Sequence, residues 1–174
     1  RRAAECGHTA VALTDHGNMY GAVAFYLSCK DAGIKPIIGC EVYVAPKSRF
    51  EKSTGDGAAQ HLVLLCKNET GYKNLIKMVS LSFTEGFYSK PRVDRQLLAE
   101  YHEGLIALSG CISGSIPKAI LSGDMSLARE RIIVFSHNSV LGHILGKTVV
   151  NASFSMLYHH LLSYDGSEFY GIPP

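Results

Sequence analysis

An α/β fold built on a parallel sheet is the class this sequence predicts, on three observations. Short runs of aliphatic and β-branched residues alternate with stretches of helical period four times between Thr9 and Asp124. Hydrophobic residues make up 47% of the chain and charged residues 18%, which is enough apolar mass for a real core and too little charge for a disordered segment. Polar residues with metal-binding chemistry stand at or near the ends of the apolar runs, where parallel α/β folds gather functional groups.

The elements follow in order. "RRAAECGHT" reads as the end of a helix with Gly7 as its stop signal, and "TAVAL" as a short buried strand. "NMYGAVAFYLSCKDAG" has helical period, with Met19, Val23, Tyr26 and Leu27 on one apolar face and Gly33 as C-cap. "KPIIGCEVYVAP" is strand-like and closed by Pro46. "KSRFEKSTGDGAAQ" is polar and glycine-rich, hence a surface loop and the best candidate for mobility. "HLVLLCKN" is the next buried strand. "ETGYKNLIKMVSLSF" is an amphipathic helix with Leu75, Ile76, Val79 and Phe83 at helical spacing. "YSKPRVD" is an extended connector, "DRQLLAEYHEG" a short helix stopped by Gly104, and "LIALSG" a strand ending at Cys111. "SIPKAILSGD" is a short helix with proline in its first turn. Four strand–helix units are too few to close an eight-stranded barrel, so the chain is expected to be a piece of a larger protein. It opens on Arg1, inside a helix, which predicts that its true start is missing. From Arg131 to Pro174 the βα alternation stops, acids become scarce, and Ser, His and Gly dominate.

Bulk properties exclude several classes. The net charge of +2 and pI near 8.3 are too mild to mark nucleic-acid binding by charge alone. Cys6, Cys29, Cys40, Cys66 and Cys111 are odd in number, widely spaced and without a C-x-x-C, which predicts reduced thiols and a cytoplasmic location. No apolar run is long enough for a membrane span, and no signal-peptide pattern opens the chain.

Four residues stand out by position. His16 follows Asp15 at the end of the first strand, Glu41 lies within "GCEVY", His61 opens "HLVLL", and Cys111 ends "LSGC". Imidazole, carboxylate and thiolate together suit zinc, or iron or manganese in a mixed site. Each residue also has a plain structural reading. His16 can be a turn residue with Asp15 as its cap. Glu41 in an apolar strand is either paired or metal-bound, or it points to solvent from an edge. His61 alone reads as a loop-end histidine, and at the start of its strand it breaks the positional pattern. Cys111 alone reads as a small buried hydrophobe, the reading also given to Cys6, Cys29, Cys40 and Cys66.

"ALTDHGNMYGAVAFY", "AGIKPIIGCEVYVAP", "HLVLLCKNETGYKNLIKMVSLSFTEGFYSKPRVD" and "GLIALSGCISGSIPKAIL" resemble the PHP (polymerase and histidinol phosphatase) domain of bacterial replicative DNA polymerase III alpha subunits. The likeness runs in register from about Arg2 to Glu130. It includes "GYKNL" and "FYSKPRVD", which a general phosphoesterase of the superfamily need not have. The resemblance implies an incomplete, distorted (β/α)7 barrel over residues 1–130, with a cleft holding up to three divalent metal ions. Those ions would be zinc, or manganese, iron or magnesium. It further implies that His16, Glu41, His61 and Cys111 are metal ligands and that Asp15 orients His16 from behind. Phosphodiester hydrolysis at neutral pH needs an activated water and a cationic clamp on the phosphoryl oxygens, which such a cluster supplies.

Two departures accompany the likeness. The family's opening His-x-His motif is absent, and so is its closing Asp-x-His. Residues 131–174 form a divergent segment unlike the family. His137, His143, His159 and His160 are therefore not carried over, and a frameshift, a chimeric junction or an insertion each accounts for the segment. The expected function is that of a fragment of a DNA-directed DNA polymerase that carries a metal-dependent phosphoesterase or 3′–5′ exonuclease module. The fragment lacks the polymerase site and is expected to be inactive alone. Its partners are expected to be primer-template DNA and other replicase subunits, through the parent chain, with no membrane. The alternatives are a stand-alone phosphoesterase of the histidinol-phosphatase kind and a non-catalytic scaffold.

Overall fold

The computed structural model describes residues 1–52 and 59–137, with side chains described as far as residue 131. The tip of the loop expected after Pro46 and nearly all of the divergent segment lie outside the described residues. The elements are α1 (Arg2–Glu5), β1 (Ala10–His16), α2 (Ala22–Asp31), β2 (Lys35–Val44), β3 (Gln60–Cys66), α3 (Glu69–Thr84), β4 (Arg92–Val93), α4 (Arg95–Glu100), β5 (Leu105–Leu108), α5 (Ser115–Leu121) and α6 (Met125–His137).

The strands form one mixed sheet in the order β1-β2-β3-β5. β1 runs parallel to β2, whereas β3 runs antiparallel to both β2 and β5. β4 pairs in parallel with Tyr43 and Val44, beyond the point where β1 ends. The all-parallel expectation fails at one strand, β3. β1 returns to β2 through a helix, α2, but no helix is described between β2 and β3. Parallel neighbours need a crossover, so a chain that turns back through a loop pairs antiparallel. Among the described residues the sheet is open, and they form no closed barrel.

The helices explain which face is dry. Alternation along each strand puts Cys40, Val42, Leu62, Leu64, Leu105 and Ala107 on one face. There they pack with Leu75, Met78 and Val79 of α3 and Leu97 of α4, in one core cluster that also holds Val93. Asn68 starts α3 by accepting a hydrogen bond from the Gly71 N–H at 2.9 Å, and Asp94 does the same for α4 with the Leu97 N–H at 3.0 Å. α3 behaves as its pattern predicts at Leu75 and Val79, both buried, while Ile76 and Phe83 look outward.

α2 does not. Val23, Tyr26 and Leu27, expected on its buried face, are 66%, 46% and 56% exposed. The helix instead seats on the sheet through Ala22 and Cys29, seven residues apart on one stripe. Small residues permit close approach, and the large apolar residues are left on the outer side.

Candidate metal centre

The other sheet face carries the polar cluster. His16 pairs with Glu41 across the parallel β1–β2 ladder, and Tyr43 pairs with His61 across the antiparallel β2–β3 ladder. Residues two apart on a strand share a face, so His16, Glu41, Tyr43 and His61 all project to the same side. This settles the position of His61. Because β3 runs the other way, its first residues lie at the sheet edge where β1 and β2 end. A strand start on an antiparallel strand is equivalent to a strand end on a parallel one.

Cys111 reaches the cluster through a tight turn. Gly110 has φ of +76°, and a Cβ there would stand 2.8 Å from the His61 carbonyl oxygen. Only glycine fits both conditions at low cost. Beyond it the His61 N–H donates to the Ser113 carbonyl at 3.2 Å, and the Ser113 N–H donates to Cys111 Sγ at 3.4 Å. The sulfur comes to rest 3.3 Å from His61 Nδ1.

The ligand-type atoms converge. Glu41 Oε1 lies 2.6 Å from His61 Nδ1 and 3.2 Å from His16 Nδ1. The donor atoms of Glu41, His61 and Cys111 all fall within 4.8 Å of one another. Glu41 and His61 side chains are only 13% and 19% exposed, while His16 is 68% exposed and stands at the mouth. Glu41 Oε1 is nevertheless the one buried side-chain oxygen or nitrogen among the described residues that has no hydrogen bond. Both imidazole nitrogens approach it without hydrogen-bond alignment. An orphaned carboxylate oxygen, a ring nitrogen and a sulfur aimed at common space fit a cation better than they fit each other. The N, O and S set suits a borderline-soft divalent ion.

Asp15 and His16 part company. Successive strand residues face opposite sides, and the Asp15 carboxylate accepts the Gly21 N–H at 3.1 Å on the helix side. It makes no contact with His16 among the described interactions, so the expectation that it orients His16 fails. Asp15 caps the turn and His16 joins the cluster.

The cysteines also separate. Burial pushes the Cys40 thiol up to about 12 and the Cys66 thiol up to about 11, so both stay protonated at neutral pH. Cys40 donates to the Asp15 carbonyl at 3.4 Å. Cys29 is buried as expected, but Cys6 and Cys111 are exposed, against the buried-hydrophobe reading. For Cys111 the cause is the loop that holds it out beside His61.

Sequence reasoning missed Tyr43, whose ring meets His61 edge-on with centres 5.1 Å apart. The alternation Glu41–Tyr43 was the available signal. It also missed a buried ionic clamp. The Arg49 backbone N–H and guanidinium donate to Asp94, and its Nε donates to Glu85 at 2.7 Å. Arg92 donates to the carbonyls of Gly86, Arg49 and Glu51. Apart from Gly86, these partners are 36 to 45 residues away in sequence, and no local pattern joins them.

The PHP domain family matches residues 1–137. This chain belongs to the PHP domain family. The DNA polymerase III alpha subunit of Chlamydia pneumoniae is 58% identical over 128 residues, 72% of this chain and 10% of the relative. That of Borreliella burgdorferi is 50% identical over 136 residues, covering 77% and 12%. That of Thermus aquaticus is 52% identical over 126 residues, covering 71% and 10%. The chain thus spans about a tenth of the length of these relatives. The matched residues 1–137 include every member of the cluster described above. No described helix is long and apolar enough to cross a membrane.

Proposed function

We propose that this chain is the PHP portion of a replicative DNA polymerase III alpha subunit, and that its cluster binds a divalent metal for phosphodiester hydrolysis at a DNA 3′ end. Glu41, His61 and Cys111 are the ligands, and His16 joins them from the mouth. The single observation that carries the reading is the unsatisfied Glu41 Oε1 facing His61 Nδ1 and Cys111 Sγ. An ion held by these residues would supply a Lewis acid able to activate water and polarise a phosphoryl oxygen.

The chain's own groups do the rest. Glu41 supplies the negative charge that makes a buried cation tolerable. The sulfur of Cys111 favours zinc or iron over magnesium, which prefers an all-oxygen shell. His16, mostly exposed, can meet an incoming substrate. Primer-template DNA and other replicase subunits are the partners, reached through the longer parent protein. The named relatives are all polymerase subunits, which favours this reading over a stand-alone phosphoesterase.

The test combines metal analysis with an exonuclease assay on a mismatched primer terminus, using the full-length parent subunit that carries this chain and its Glu41→Gln variant. The reading expects bound metal and mismatch removal, both lost in the variant. Bound metal without nuclease activity would leave a structural metal in a scaffold domain. Metal-free, inactive protein would contradict the reading.

A further inference from the structure

Lys90 is linked to the centre through one aromatic ring. Its ammonium lies 4.5 Å above the Tyr43 ring, the same ring that meets His61 edge-on. No described carboxylate stands within ion-pair distance of it. Its basic neighbours are committed elsewhere, Arg92 to three backbone carbonyls and Arg49 to Asp94 and Glu85.

The position is built. The Tyr88 N–H donates to the Lys90 carbonyl at 3.1 Å, and Ser89 between them is held at φ of +62°, a left-handed conformation that disfavours any residue but glycine. Pro91 then packs against the turn that follows His16, so closely that a Cβ on Gly17 would meet its Cγ at 3.0 Å. The loop carrying Lys90 is thereby fastened to the rim of the cluster.

Aromatic rings stand in the segments joined here, Phe87 three residues before Lys90 and Tyr20 three residues after Gly17. Phe87 stacks on Phe83 with centres 6.2 Å apart, and Phe83 meets Tyr20 at 6.4 Å. They are 48%, 37% and 81% exposed. Exposed rings in the segments flanking a cation with no carboxylate partner are the pattern that holds a single strand, with bases stacked and phosphate clamped. A small phosphate monoester has no use for such a row.

We propose that Lys90 is a substrate-binding residue that clamps a backbone phosphate of a single-stranded nucleic acid whose end lies at the Glu41–His61–Cys111 cluster, with Phe87, Phe83 and Tyr20 carrying its bases. This rests on the metal-centre reading above.

The experiment is fluorescence anisotropy with a dye-labelled oligothymidylate, titrated across a salt series with the whole chain, while metal content is measured on the same samples. Lys90→Met is expected to weaken binding about fivefold and to flatten the log–log salt slope by about 0.7, the signature of one lost phosphate contact on a single strand. Lys90→Arg keeps the slope. Phe87→Ala weakens binding and leaves the slope alone. Wild-type protein that fails to bind the oligonucleotide overturns the proposal, as does a Lys90→Met variant with unchanged affinity and slope. Metal-loaded protein indifferent to Lys90→Met refutes the clamp alone. Metal-free protein with a Lys90-dependent slope supports the clamp and refutes the metal centre.

Discussion

Two groups of charged side chains in this molecule make opposite use of burial. The Arg49–Asp94–Arg92 clamp is closed: all three are at most 7% exposed, and both carboxylate oxygens of Asp94 and the guanidinium groups of Arg49 and Arg92 have partners. The Glu41–His61–Cys111 cluster is open: its central oxygen is buried and has no hydrogen bond. A network that satisfies itself fixes loops. One that points several lone pairs at common space is the candidate for a ligand. The difference separates a structural element from a candidate site without reference to charge count.

The comparison breaks most readily at the clamp. Asp94→Ala removes the α4 cap and the carboxylate facing the Arg49 guanidinium, leaving it Glu85 alone among carboxylates, so a loss of about 2–4 kcal/mol is expected by urea denaturation. A loss under about 1 kcal/mol would mean the clamp is incidental. The pH dependence follows from the same residue. Burial alone would raise the Asp94 carboxyl, but the N–H groups of Arg49 and Leu97 and the Arg49 guanidinium hold it below the usual carboxylate range. Its contribution is therefore full above the ordinary value of 3.8 and fades as pH falls through the lowered one. Acid unfolding should steepen below about pH 4, and Asp94→Ala should blunt that step.

At the open cluster the expected effects divide between metal and stability. His61→Ala should lower metal affinity about a hundredfold or more, judged by calorimetric titration. Glu41→Gln should also abolish tight binding, yet make the metal-free protein more stable by about 1 kcal/mol, because the charge on a buried carboxylate oxygen without a hydrogen bond is removed. Destabilisation instead would show that Glu41 is already satisfied. The smallest effect belongs to Cys111→Ser. Stability should stay within about 0.5 kcal/mol, while preference shifts from zinc toward harder ions.

Much of the site was legible in the sequence because its chemistry is local. His16, Glu41 and Cys111 each stand where an apolar run ends or is interrupted, and the motifs around them are specific. His61 was legible as a residue but not as a position, because its place depends on the direction of β3. That direction was present in the sequence as a loop with no helical period between Pro46 and His61. The alternation elsewhere hid it. The buried face of α2 was misread for another reason: helical period shows that a stripe exists, but small Ala22 and Cys29 outcompete larger residues where a helix must approach a sheet closely. The clamp and Lys90 depend on contacts between distant segments, which periodicity does not encode.

The most direct measurement is equilibrium dialysis of the protein against zinc, with bound metal counted by mass spectrometry for the wild type and His61→Ala. The account predicts stoichiometric, saturable binding by the wild type and its loss in the variant, with the fold unchanged by circular dichroism. A wild type that holds no metal, or a variant that holds as much, would contradict it.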